Sequence, residues 1–159
     1  MQSNDDLQSL LDYAYFFLKF RPRSKKELEI YLYKKIQKRH WSQDDVKKVI
    51  QHLEELDLVS DKNFVKWFVE QRMLLKPKSE FALKQELLKH GISKEIIDEY
   101  FSSHSINEEE LAEKTLRERW YRYKYLDKRK RFEKAASFLQ RRGFSFDTIT
   151  NVIKKLQEG

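Results

Sequence analysis

Apolar residues recur one helical turn apart along most of this chain, and the pattern comes in blocks. Leu28 and Leu32 share one face of a predicted helix, Leu83 and Leu87 share another, and the two pairs lie 55 residues apart. The same shift carries Phe20-Arg21-Pro22-Arg23-Ser24, around one of only two prolines, onto Leu75-Lys76-Pro77-Lys78-Ser79 around the other. Upstream it lays Tyr13 and Ala14 on Phe68 and Val69. Past a first tip that is four residues longer, KKIQKRHW, the shift becomes 51: Trp41-Ser42 falls on Ile92-Ser93, Val46 on Ile97, and Val49-Ile50 on Tyr100-Phe101. A fainter third copy follows at a shift of 52, with KHGIS at 89–93 recurring as RRGFS at 141–145 and Leu87 falling on Leu139. An internal period of about 50 residues marks a repeat architecture.

Capping signals divide each copy into three helices. Ser24 with Glu27 reads as a capping box, Ser42, Ser93 and Ser145 precede the third helices, and Asp61 and Asn107 with Glu110 open the first helices of copies two and three. Gly91 and Gly143 suit a helix C-terminus, where a left-handed residue closes the last turn without a Cβ penalty; copy one has His40 there, so its turn is expected to differ. Each proline bars the preceding helix from continuing and holds the residue before it extended. The predicted helices cover 5–21, 24–38, 42–56, 61–75, 79–90, 93–103, 107–126, 127–142 and 145–157. The expected fold is therefore all-α, an elongated curved array of three tandem three-helix repeats at 1–60, 61–105 and 106–159, each too small to hold a firm core alone.

Composition agrees with a helical chain: charged residues make up 37%, with three glycines and two prolines, while three Trp, eight Tyr and eleven Phe supply core material. No apolar run approaches the roughly 20 residues of a membrane span, and the start MQSNDDLQS lacks the basic and apolar blocks of a signal peptide. A cytoplasmic protein with no membrane partner is the expectation. The absence of cysteine excludes disulfides, thiolate catalysis and cysteine-type zinc sites.

Nothing in the chain reads as catalytic. It has no phosphate-binding glycine loop and no HExxH, so no cofactor and no small-molecule substrate are expected. His40, His52, His90 and His104 lack metal-ligand spacing and read as turn or surface residues. The acidic pairs Asp44-Asp45 and Glu108 to Glu110 stand at helix starts, where they complement the helix dipole.

The net charge of +7 changes the picture, because five of the seven excess charges fall after residue 105. An anionic partner is the inference, nucleic acid or an acidic protein surface ahead of lipid. Within LRERWYRYKYLDKRKR, residues 116–131, cations alternate with Trp120, Tyr121, Tyr123 and Tyr125. Cations neutralise phosphates and aromatic faces stack on unpaired bases, the combination a single-strand contact uses. Leu116, Trp120, Tyr123 and Leu126, however, recur at helical spacing and read as core rather than as base platforms. Candidate contacts are Arg119, Arg122, Lys124, Arg129, Lys130 and Arg131 here, with Arg141 and Arg142 at the next turn. Arg21, Arg23, Lys25 and Lys26, and their counterparts Lys76 and Lys78, occupy equivalent corners; Lys34, Lys35, Lys38 and Arg39 form a third patch at the first tip. Ordinary solubilising charge is the competing reading for each patch.

The run LDLVSDKNFVKWFVEQRM at 56–73, followed by KPKSEFALKQELLKHGISKEIID at 76–98, resembles the RecX family of RecA regulators. The matching features are the short apolar turn ending in Asp61, Phe64, Arg72, Leu83 and Leu87, and the Gly91-Ile92 turn; KELEIYL after Ser24 and RRGFSFDTI are similar to that family as well. The likeness runs from about Leu10 to Leu156. It departs at Asp57, where such proteins usually have glycine, at Lys76-Pro77, which replaces a glycine-containing turn, and at the longer first tip. The resemblance implies a non-enzymatic protein, expected to act as a monomer, that binds along the groove of the RecA–DNA filament and restrains recombinase and co-protease activities. Its implied partners are RecA and DNA, single- or double-stranded. A stand-alone nucleic-acid-binding protein built from tandem three-helix units is the alternative.

Overall fold

The computed structural model describes residues 4–37 and 39–159, and these are all-α. Among them nine helices follow in order: α1 Asn4–Leu18, α2 Lys25–Ile36, α3 Gln43–Glu55, α4 Asp61–Leu75, α5 Glu80–Lys89, α6 Lys94–Ser103, α7 Glu108–Tyr123, α8 Lys128–Arg141 and α9 Phe146–Glu158. The two largest departures from the predicted spans are early stops. At the end of α1 the Arg23 Nε donates to the Phe17 carbonyl at 3.1 Å, a side chain taking the place of the next helical amide. At the end of α7 the Arg131 guanidinium does the same for three carbonyls, those of Tyr123, Lys124 and Leu126.

The capping serines act as expected, with one exchange. Ser42 and Asp45 make the reciprocal capping box. Ser24 accepts the Glu27 amide at 3.1 Å, but the Glu27 carboxylate turns away to Arg21 and His90, so the box expected at Ser24 is only half built. A tertiary ion pair has outcompeted the local hydrogen bond. Asp57 takes φ 57°, the left-handed conformation at the position where the family resemblance expects glycine. At the first tip, which lacks a glycine, Gln37 closes α2 in the right-handed conformation.

The chain forms two compact units: one runs up to Phe68 and includes Leu87–Tyr100, the other comprises Val69–Glu86 and Phe101–Gly159. The boundary falls inside α4, α5 and α6 rather than between repeats. In the first unit Leu10, Ala14, Leu28, Leu32, Val46, Ile50 and Leu53 form a core with Trp41 at its edge. In the second, Ala112, Leu116, Ala135, Phe138, Leu139, Val152 and Ile153 do so.

Each unit contains one junction, and the two are built alike. In the first unit the Ser24 hydroxyl donates to the His90 carbonyl at 2.7 Å, and the Lys25 amide donates to Asp61 Oδ1 at 2.8 Å. Gly91, at φ 81°, lies so close to the Lys26 stem that a Cβ there would stand 2.2 Å from its Cδ. In the second unit the Ser79 amide donates to the Arg142 carbonyl at 2.9 Å, and the Glu80 amide donates to Glu108 Oε1 at 2.9 Å. Gly143, at φ 89°, would place a Cβ 2.5 Å from Ser79 Oγ and 2.6 Å from Ala82 Cβ. The proline-serine corner of one repeat thus seats the glycine turn of the next, and a carboxylate opening the next repeat's first helix caps the corner's own helix.

Candidate nucleic-acid interface

The end of α7 and the start of α8 gather the densest cations of the second unit, and packing sorts their neighbours into two faces. Leu116 is fully buried, and Trp120 and Tyr123 pack against the same core, so these read as structure. Tyr121, in the last turn of α7, and Tyr125, in the turn just past its end, are exposed at 58% and 85%. Arg122 donates from Nε to the Tyr121 hydroxyl at 3.2 Å, and the Lys124 ammonium lies 5.4 Å from the Tyr125 ring centre. Two exposed aromatic rings therefore carry two cations in place, the arrangement that serves phosphates and stacked bases together.

The other cations of this region are committed differently. Arg131 spends its guanidinium on the carbonyls that end α7 and lies 5.9 Å from the Trp120 ring centre. Arg129, with its side chain 90% exposed, pairs only loosely with Glu133 at 3.3 Å, and Lys130 is exposed beside it. Arg119 lies over Phe138 at 4.3 Å. Arg142 lies over the same ring at 4.9 Å and donates from Nη1 to the Pro77 carbonyl at 2.9 Å; burial, then Arg119 and Arg141, pull its guanidinium below the ordinary value. Arg141 is exposed.

The corner residues are mostly spent within their junctions. Arg21 pairs with Glu27 at 3.0 Å and faces Trp67, Arg23 stacks on Phe17 at 4.0 Å, and Lys25 pairs with Glu54 at 3.0 Å. Lys26 is exposed, with its stem against Gly91. Lys78 pairs with Glu86, which Arg72 also reaches at 3.1 Å. Burial pushes the Glu86 carboxyl up, but Lys78 and Arg72 outweigh it and hold the group below the ordinary glutamate range. Burial raises Asp61 and Glu108 at the two junctions, although each accepts a backbone amide. Lys76 remains exposed at the second corner, beside the exposed Leu74 and Leu75.

At the first tip, Lys34 is exposed, Lys35 lies over the rings of Tyr13 and Tyr31, and Arg39 donates to the Tyr13 hydroxyl at 3.4 Å; Lys38 lies outside the described residues. Tyr13, Tyr31 and the exposed Phe16 were not legible as site residues, since helical spacing marks all three as ordinary face positions. Among the described residues, no group of three histidines or carboxylates is placed to hold a metal ion, and no helix is long and apolar enough to cross a membrane.

Models of two RecX domains match this chain: the second three-helix domain over residues 60–100 and the third over residues 107–153, together more than half of its length. A "Regulatory protein RecX" of Chlorobium phaeobacteroides is 28% identical over 158 residues, covering 98% of both chains. The protein of the same description from Streptococcus gordonii is 30% identical, over 97% of this chain and 61% of its own. The crystal structure of RecX from Lactobacillus salivarius superimposes with a TM-score of 0.79 at 25% identity, covering 99% of this chain and all of that one. With both domain models, a relative matched over nearly its full length and the superimposed fold in agreement, the chain belongs to the RecX family of regulatory proteins.

Proposed function

We propose that this protein regulates the RecA recombinase without chemistry of its own, binding as a monomer along the groove of the RecA–DNA filament in the cytoplasm. Bound there, it lowers DNA-dependent ATP hydrolysis, strand exchange and co-protease activity. Membership of a family of regulatory proteins carries this reading; the cationic aromatic face at Tyr121, Arg122, Lys124 and Tyr125 supports contact with the filament's phosphates. The test adds the protein to RecA filaments in less than equal amount and follows ATP hydrolysis and strand exchange. Both are expected to fall, and no effect at an equal amount removes the reading.

The exposed rings of Tyr121 and Tyr125 favour a second reading, direct binding of nucleic acid with no recombinase present. Charge reversal separates the two. If Arg122→Glu with Lys124→Glu abolishes binding to bare DNA while filament inhibition survives, the activities are distinct; if both are lost together, one face serves both.

A further inference from the structure

We propose that the first repeat holds a second, separate nucleic-acid site: a cleft between α1 and α2 that takes one unpaired nucleotide of a single strand. The cleft has a volume of about 490 Å³, within the range of small-molecule sites. Its two sides differ in chemistry. From α1 come the ring of Phe16 and the carboxylate of Asp12; from the α2 side come Lys35 and Arg39.

The cations are held rather than free to sweep through solvent. The Lys35 ammonium lies 4.9 Å from the Tyr13 ring centre and 5.3 Å from that of Tyr31. Tyr31 is itself stacked flat on Phe17 at 4.1 Å, so this aromatic floor is fixed from below. Arg39 is anchored by the Tyr13 hydroxyl and lies 5.9 Å from the Trp41 ring centre. Two anchored positive charges at one side of a cleft are suited to phosphates on either side of a bound nucleotide.

The opposite side suits a base. Phe16 is 59% exposed, a poor placement for a large apolar ring unless something covers it, and Phe20 braces it edge-on at 5.2 Å. Asp12 accepts from Gln8 at 2.9 Å and keeps further acceptor capacity. Its charge keeps phosphates off this side, and its oxygens match the exocyclic amino groups of cytosine, adenine or guanine. A double helix hides its base faces inside the stack, so the ligand is an unpaired strand. The cleft binds with no recombinase present, and because the face at Arg122 and Lys124 is itself read as a nucleic-acid contact, the cleft is tested in the Arg122→Glu, Lys124→Glu background.

The test is fluorescence anisotropy with a short dye-labelled oligodeoxycytidine at low salt, with no recombinase, on variants made in that background whose melting curves match the parent's. Phe16→Ala is expected to weaken binding about ten-fold, the loss of one stacked base, and Phe16→Trp to retain or tighten it. Lys35→Glu is expected to weaken binding and flatten its salt dependence, and oligothymidine, without an amino group, to bind less tightly. Undiminished affinity in Phe16→Ala, equal weakness in Phe16→Trp, or equal affinity for a duplex of the same length overturns the site. Displacement of the strand by an equal concentration of free cytidine monophosphate overturns its assignment to a strand.

Discussion

The Ser24 hydroxyl donates to the carbonyl of His90, 66 residues further along, while accepting the amide of Glu27. One buried oxygen atom thus caps a helix and ties two repeats together. Ser24→Ala removes the cap and leaves the His90 carbonyl short of a donor, so it is expected to destabilise the protein by about 1–3 kcal/mol. A lower urea midpoint at unchanged slope checks this; an unchanged midpoint shows that the tie contributes nothing.

Gly143 sits under the second corner at positive φ, with Ser79 and Ala82 closing over it. Gly143→Ala adds left-handed strain to a collision with atoms that include the Ala82 Cβ, which cannot swing aside. The expected cost is about 2–4 kcal/mol. Thermal melts of the purified variant measure it, and a shift within a degree of the wild type refutes the packing described.

Stability should respond to pH through two kinds of carboxyl group that pull in opposite directions. Asp61 and Glu108 have raised values in the fold, so their contribution is complete below the ordinary carboxylate pKa of about 4 and is lost as pH rises through the folded value. Glu86 has a lowered value, so its contribution is present above the ordinary glutamate pKa and is lost as pH falls through the folded one. Glu108→Gln, which keeps a carbonyl for the Glu80 amide, is expected to raise the Tm at pH 7, and Glu86→Gln to lower it. Both differences should shrink below about pH 4. Melts at the two pH values decide, and a difference that persists in acid assigns the effect to shape rather than charge.

Arg129 and Arg131 are neighbours in a basic run but differ in role. Arg131→Ala strips the Lys124 and Leu126 carbonyls of their side-chain donor, while the Tyr123 carbonyl keeps the Leu126 amide, and is expected to cost about 1–3 kcal/mol, whereas Arg129→Ala stays within about 0.5 kcal/mol of the wild type. Equal midpoints for the two variants would mean that water replaces Arg131 without penalty.

Most of the fold was legible because caps and punctuation are local. Ser42 with Asp45, Ser145 and Asn107 each act within three residues of themselves, and the helices they open begin within a residue of expectation. What escaped is what depends on distance along the chain. Glu27 looked like the second half of a capping box, yet its carboxylate serves His90, 63 residues away. Arg131 looked like one more surface cation until α7 ended beside it. The cleft of the first repeat joins residues of α1 to the tip beyond α2, and helical spacing shows which face a residue occupies but not which face of another helix it meets. The basic run itself was legible, and Trp120 and Tyr123 turn inward as their spacing with Leu116 implied, while Leu126, assigned to the same stripe, lies past the end of α7.

The two prolines mark one side of each junction. Proline followed two residues later by serine occurs at 22–24 and 77–79, the corners that seat a later turn, and glycine occurs at 91 and 143, the turns that are seated. The remaining two halves, the turn at His40-Trp41 and the corner at Asp127, carry neither signal. The punctuation therefore follows the joint and not the repeat: what recurs along this chain is a mortise and its tenon, shared between neighbours, with the serine hydroxyl making the tie in one and the serine amide in the other. A fragment cut at Ser60 would keep Ser24 and lose the carbonyl it holds, while one that ran on to Tyr100 would keep both sides of the joint.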